Sequence, residues 1–176
     1  IMLAVENNRQ AQQQIYAKFS SKMLSVCRQY IKDIHHAEDV MITGFMKVFT
    51  NLKNFEHKGS FEGWIRRIMV YECIDFLRVK KNNFNHQDID DVMISENESV
   101  YEMEDFSVDD IQNMIDNLPD GYKMVFNLYA IEGYKHQEIA EMLKISEGTS
   151  KSQLSHARKL LQQQITDLKN KLNGTK

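Results

Sequence analysis

The chain has 176 residues, is 42% hydrophobic and carries a formal net charge of −3, which leaves room for one domain or two small ones around a packed core. One proline and seven glycines argue against a turn-rich all-β design or a disordered chain, and no run of about 18 apolar residues is present to span a membrane. The acidity is local: residues 82–110 hold ten acidic residues and no Lys or Arg, whereas 22–81 hold eleven basic and seven acidic, and 111–176 nine and seven. Charge per segment is the informative quantity, and both flanking segments are basic. The stretch IMLAVENNRQ lacks a basic start followed by a long apolar run, so no secretory signal is expected there. Cys27 and Cys73 sit among helix-like residues; they could form one disulfide, but buried thiols in a reducing cytoplasm are the expectation.

In chain order, RQAQQQIYAKFSSKMLSVCRQYIKD puts Ile15, Phe19, Met23, Val26, Cys27 and Tyr30 at steps of three and four, one apolar helix face. HAEDVMITGFMKVFTNL places Val40, Ile42, Phe45, Val48, Phe49 and Leu52 on a wide apolar face, with Glu38 and Asp39 expected in its first turn, where the helix dipole favours acids. NFEHKGS breaks the pattern, with Gly59 and a Ser60 cap. FEGWIRRIMVYECIDFLRVKK follows as a long helix with an expected seam of Phe61, Trp64 or Ile65, Ile68, Tyr71 or Glu72, Ile74 or Asp75 and Leu77. The acidic segment has weak periodicity and reads as a linker over 82–110, between a first domain at 1–81 and a second at 111–176. Shorter helices follow: VDDIQNMIDNL, then one started by Pro119 and stopped by Gly133, then YKHQEIAEMLKI and a long final helix from Ser146. No strand is expected, so the fold class is all-α, with two small helical domains.

At 100° per residue, Ser150, Leu154, Ala157 and Leu161 share one side of the final helix. Lys151, Ser152, Ser155, His156 and Lys159 lie roughly opposite, and Ser146 is the expected cap. With the short helix through Ile139, Ala140 and Leu143 ahead of it and the turn KIS between, this is a helix-turn-helix pattern, whose second helix enters a major groove. Lys151, Arg158 and Lys159 suit phosphates, and Ser152, Gln153, Ser155 and His156 suit base edges or backbone, with Thr149 at the helix start. A solvated face on an ordinary helical hairpin is the competing reading. The chain has no glycine-rich phosphate loop, nucleophile elbow or HExxH, so no catalytic residue and no cofactor are expected. His35 and His36 are adjacent on a helix start and point apart, so no metal site is expected.

Two blocks carry a resemblance to a known family. LPDGYKMVFNLYAIEGYKHQEIAEMLKISEGTSKSQLSHARKLL resembles region 4 of bacterial RNA polymerase sigma factors of the extracytoplasmic-function group. AEDVMITGFMKVFTNL and GSFEGWIRRIMVYECIDFLRVKK are similar to region 2.2 and to regions 2.3 and 2.4 of that group. The resemblance implies a cytoplasmic promoter-specificity subunit with no catalysis of its own and no small-molecule substrate. It implies that region 2 binds the clamp helices of the largest polymerase subunit and reads and melts the −10 element. Region 4 would bind the flap of the second-largest subunit and read the −35 element. For −35 recognition the residues carried over are Thr149, Lys151, Ser152, Gln153, Ser155, His156, Arg158 and Lys159. For the −10 element they are Asn54, Lys58, Gly59, Ser60, Phe61, Arg66, Arg67, Arg78, Lys80 and Lys81. The Asn54–Ser60 loop is the candidate for holding a flipped base, Trp64 is expected in the core, and the end of the long helix tracks phosphates. For polymerase contact they are Asp39, Ile42, Thr43, Phe45, Lys47 and Val48. Ile42 and Thr43 stand where the family usually has Gln and an acid, Ser150 replaces the usual Val, and Gln153 and His156 occupy places where Arg is common. Family members are commonly held inactive by an anti-sigma partner. The linker would be a tether through the polymerase cleft. A helix-turn-helix regulator that works without polymerase is the alternative, and it needs no region-2-like block.

Overall fold

The structure, a computed structural model, describes residues 1–83 and 107–173, and of residues 80–83 and 171–173 the backbone alone. All regular structure among the described residues is helical, as the all-α reading requires, and no helix among them is long and apolar enough to cross a membrane. The chain divides into two compact units, Ile1–His86 and Gln87–Lys176. The expected linker at 82–110 is shortened at both ends, because helix runs on through Asn83 and begins again at Val108; residues 84–106 of it lie outside the described residues.

The first unit contains a short α1 (Met2–Val5), then α2 (Arg9–Tyr30), α3 (Ile34–Thr50), a 3-10 turn (Leu52–Asn54) and α4 (Phe61–Asn83). Three starts are capped by side-chain oxygens that accept from the exposed backbone N–H groups of the first turn. Asn8 Oδ1 accepts from Ala11 N at 3.0 Å, Asp33 Oδ1 from His36 N at 2.9 Å, and Ser60 Oγ from Gly63 N at 3.0 Å. The Asp33 cap corrects one expectation. It starts α3 at Ile34 and moves Glu38 and Asp39 beyond the first turn, which contains no acid. The backbone N–H of His36 accordingly holds the Asp33 carboxyl below its ordinary pKa.

α2, α3 and α4 pack against one another around Phe19, Met23, Val26, Cys27, Tyr30, Val40, Met41, Phe45, Val48, Ile65, Met69, Val70 and Cys73. Each such side chain contributes about 1.5–3 kcal/mol when fully buried. The α3 and α4 backbones approach closely at Gly44, where a Cβ would lie 2.4 Å from Met69 Sδ. Two expected apolar faces shift. Ile42 is exposed, and the α3 core face is Ala37, Val40, Met41, Gly44, Phe45 and Val48. The α4 seam runs through Ile65, Met69, Val70, Cys73 and Ile74, while Tyr71 is exposed. Trp64 is half-buried rather than in the core.

The second unit holds α5 (Val108–Asp116), α6 (Asp120–Phe126), a π-helical turn (Asn127–Ile131), α7 (His136–Leu143) and α8 (Glu147–Asn173). Ser107 and Asp110 form a reciprocal cap at α5. Pro119 sits at the α6 cap with φ −53°. Gly133, at φ +77°, ends the π-helical turn in the left-handed region that favours glycine. Lys144, at φ +56°, makes the left-handed stop of α7. Ser146 then accepts from Thr149 N at 2.9 Å, so the KIS turn and the Ser146 cap stand where the sequence puts them. The α8 stripe of Ser150, Leu154 and Ala157 is buried and Leu161, its fourth expected member, is half-buried, and α8 packs on both α6 and α7.

Candidate nucleic-acid interface

In the second unit, the buried stripe fixes which side of α8 faces outward. Helical geometry at 100° per residue puts Ser152, Ser155 and Lys159 farthest from it, and all three are exposed. Lys151 and Arg158 flank them on the α7 side, and Gln153 and His156 on the α6 side.

Several of these groups already have partners. Thr149 Oγ1 lies 2.8 Å from Ser146 Oγ, and Ser152 Oγ donates to Thr149 O at 3.1 Å. Lys151 Nζ pairs with Glu147 Oε1 one turn earlier, at 2.7 Å. The hydrogen bond and charge of Lys151 hold the Glu147 carboxyl below its ordinary pKa. The Arg158 guanidinium lies over the Tyr129 ring at 5.8 Å. Gln153 and His156 pack on α6, with the His156 ring parallel to that of Tyr122 at 5.3 Å and 9°. The polar ends left without a hydrogen bond or ion pair among the described residues are those of Gln153, Ser155, His156, Lys159 and Arg158, the last held by its ring contact alone.

Sequence reading missed a polar contact within the helix-turn-helix itself. His136 Nδ1 lies 2.9 Å from Ser150 Oγ, so the serine that replaces the family's usual Val is buried against a hydrogen-bonding partner. Tyr129 stacks on a face of that ring at 4.6 Å. Burial, helped by the nearby Lys151 and Arg158 charges and opposed by Glu147, lowers the His136 pKa.

In the first unit, Asn54, Lys58, Gly59 and Ser60 are exposed around a loop that turns through His57 at φ +58° and Gly59 at φ +99°. The loop is rooted by Phe55, a residue the sequence reading passed over. Phe55 is buried and lies 5.1 Å from Phe61, 5.5 Å from Trp64 and 4.7 Å from His57, ring centre to ring centre. Phe61 and Trp64 stack at 5.7 Å and 18°, each half-buried. Beside them a cleft of about 290 Å³ is lined by Lys47, Asn51, Asn54, Trp64, Ile68, Tyr71 and Glu72. Lys58 pairs with Glu56 at 2.7 Å and Arg78 with Asp75 at 2.9 Å. Arg67 lies over the Tyr71 ring at 5.9 Å, and Arg66 is half-buried. The side chains of Lys80 and Lys81 lie outside the described residues.

On α3, Asp39, Ile42, Thr43 and Lys47 are exposed. Phe45 and Val48 point inward, Phe45 against the Tyr16 ring at 4.9 Å, so they support this face rather than form it. The exposed Met46 joins Ile42 in their place, and the Lys47 ammonium pairs with the nearly buried Glu72 carboxylate. His35 and His36 turn to different acids, Glu38 and Asp33. Among the described residues no three potential metal ligands converge.

Two family descriptions match the chain, Sigma-70 region 2 over residues 15–83 and Sigma-70, region 4 over residues 108–161. The chain is 28% identical over 164 residues to the ECF RNA polymerase sigma factor SigW of Bacillus subtilis, covering 85% of this chain and 86% of that one. It is 24% identical over 178 residues to the ECF RNA polymerase sigma-E factor of Haemophilus influenzae, covering 93% and 92%. In fold it is similar to the sigma factor RpoE of Bartonella quintana, solved in complex with the anti-sigma factor NepR, with a TM-score of 0.56 at 18% identity over 88% of this chain and 96% of that one. It is also similar to CnrH, solved in complex with the cytosolic domain of CnrY, with a TM-score of 0.52 at 19% identity over 94% of each chain.

Proposed function

The chain belongs to the extracytoplasmic-function group of the sigma-70 family, and from that premise we propose that it is a promoter-specificity subunit of bacterial RNA polymerase. The observation that carries the reading is the presence of region 2 and region 4, in order, on one chain. A regulator acting alone has no use for the first. The division expected from the sequence, with a region 2 domain at 1–81, a tether at 82–110 and a region 4 domain at 111–176, is adjusted to the helix ends, so that region 2 closes with α4 at Asn83 and region 4 opens with α5 at Val108. The chain acts in the cytoplasm and has no catalytic chemistry of its own. Binding energy shifts duplex DNA toward the open form.

Each surface has a role in this reading. The outer face of α3, formed by Asp39, Ile42, Thr43, Met46 and Lys47, meets the polymerase clamp helices. Ile42 and Met46 make that contact more apolar than the family's usual Gln and acid would. The loop rooted by Phe55 and the cleft walled by Trp64 receive an unstacked base of the −10 element, since melting requires a base to be held out of the stack. The outer side of α8 enters the major groove of the −35 element. Lys159 and Lys151 meet phosphates, and Gln153, Ser155 and His156 are left to read base edges. An anti-sigma protein, of the kind bound to the similarly folded sigma factor RpoE, is a natural regulator of these surfaces.

The test is transcription initiation by core polymerase on a library of promoter fragments, with and without the purified chain. Transcripts that depend on both core polymerase and the chain are expected. Duplex binding with no core-dependent initiation refutes the reading in favour of a free-standing helix-turn-helix regulator.

A further inference from the structure

Resting on the reading of α8 as the −35 reader, we propose that the first turn of α6, Gly121 and Tyr122, is a positioning layer that sets the aim of Gln153 and His156, so that two helices jointly write the promoter preference. Tyr122 covers one face of the His156 imidazole, ring centres 5.3 Å apart and planes 9° from parallel. Stacking of this kind fixes the ring plane and leaves the ring nitrogens at its edge open. Gly121 does the same for Gln153 by having no side chain. A Cβ on Gly121 would lie 3.3 Å from Gln153 Nε2, 3.5 Å from Oε1 and 3.6 Å from Cδ, so the amide lies flat against the glycine.

These contacts orient the two side chains without using their polar atoms. Among the described residues neither the Gln153 amide nor the His156 ring nitrogens have a hydrogen-bond partner, so both remain available to base edges. A side chain held in its binding geometry beforehand loses less freedom on docking. The two residues are three apart on α8, on the flank that faces α6. The platform is itself fixed. Pro119 locks the entry to α6 at φ −53°, Lys123 N bonds back to Pro119 O at 2.9 Å, and the Lys123 ammonium is buried 3.7 Å from the Asp116 carboxylate. Tyr122 and Gly121 thus act through α8 and need no contact with DNA.

The experiment uses the full chain bound to core polymerase and a promoter library randomised across the −35 element, with the base preference at each position as readout. His156→Ala and Tyr122→Leu are expected to lose discrimination at the same position by about fivefold or more, the lower range of one base contact. Tyr122→Phe, which keeps the stacked ring, is expected to retain the parental preference. Gly121→Ala is expected to shift the preference at the position that Gln153→Ala also changes, leaving the His156 position alone. Because alanine favours a helix over glycine, this variant carries the test even if Tyr122→Leu fails to fold. If Tyr122→Leu and Gly121→Ala change transcription equally across all sequences while His156→Ala and Gln153→Ala change preference, the positioning role is overturned and the reading of α8 stands. If His156→Ala and Gln153→Ala leave every preference unchanged, the base-reading role of those two residues falls, and the proposal with it.

Discussion

Lys151 and Lys159 should differ in how strongly they couple to DNA, although both lie on the outer half of α8. Lys159 is exposed and has no ion-pair partner among the described residues. Lys151 Nζ is 2.7 Å from Glu147 Oε1, with both side chains more than half exposed. Each phosphate contact contributes about 0.9 to the slope of log affinity against log salt, so a fourfold rise in salt costs about 3.5-fold in affinity per contact. Lys159→Ala should therefore shallow the slope by about 0.9. Lys151 either leaves Glu147 or brings its negative charge to the DNA, so Lys151→Ala should shallow the slope by less. Glu147→Gln isolates the cause. It removes the carboxylate, frees Lys151, and should tighten binding at low salt and steepen the slope. The assay is fluorescence anisotropy of a −35 duplex titrated with the full chain, at salt concentrations from about 50 to 200 mM. Equal slope changes for the two lysines, together with no tightening by Glu147→Gln, would refute the argument that the ion pair holds Lys151 back.

Three further outcomes follow from the packing. Gly44→Ala gains about 1 kcal/mol of helix propensity but drives a Cβ to 2.4 Å from the buried Met69 sulfur, and overpacking of about 1–3 kcal/mol should leave the first unit less stable. A higher urea midpoint for this variant would show that α3 and α4 are not in forced contact. Lys123→Met removes the ammonium beside the Asp116 carboxylate, in a site where neither side chain is more than 4% exposed, and leaves the Gln112 amide as a neutral donor to it. It should cost about 3–5 kcal/mol, part of which Asp116→Asn in the same chain restores. Chemical denaturation reads both, and a neutral single variant contradicts the buried pairing. His136 has a folded pKa below its unfolded value, so the unfolded chain binds more protons. Its contribution to stability is complete above about pH 6.5 and is lost as pH falls through the folded pKa. Thermal melts at pH 7.5 and 5.5 should separate more for the parent than for His136→Gln, and identical separations would remove His136 as the cause.

What the sequence made legible was whatever repeats within one helix. Ser146, Ser150, Leu154 and Ala157 follow from one cap and one 3.6-residue period, and the structure keeps them all. The α4 seam was harder, because Trp64 and Ile65, or Tyr71 and Glu72, offer neighbouring candidates at each turn. The pairing of Glu72 with Lys47 across from α3 lets a carboxylate sit where periodicity favours an apolar ring. Ile42 was misplaced because hydrophobicity alone does not tell a core position from an exposed one. Tyr122, Gly121 and Phe55 were missed for a common reason. Each acts through a contact between separate elements, and no period along one helix records it.

The acidity of a chain of net charge −3 is confined to 82–110, but ion pairs also temper the basic groups of the two units. Lys58, Arg78 and Lys151, all expected at the DNA interface, are each within 2.9 Å of a carboxylate oxygen. Exposed pairs of this kind are weak and open readily, but every carboxylate carried to the interface offsets part of the counterion release that drives binding. In the proposed reading these three positions therefore add less to DNA binding than unpaired cations would. On a polymerase, however, the second DNA contact becomes intramolecular once the first has formed, and two weak sites then act at a high effective concentration. Weak charge is an advantage under that arrangement, because strong sequence-independent attraction would hold the chain on any duplex. In the proposed reading, discrimination is left to the few uncommitted polar ends on α8 and to the cleft beside Trp64, once the outer face of α3 is engaged.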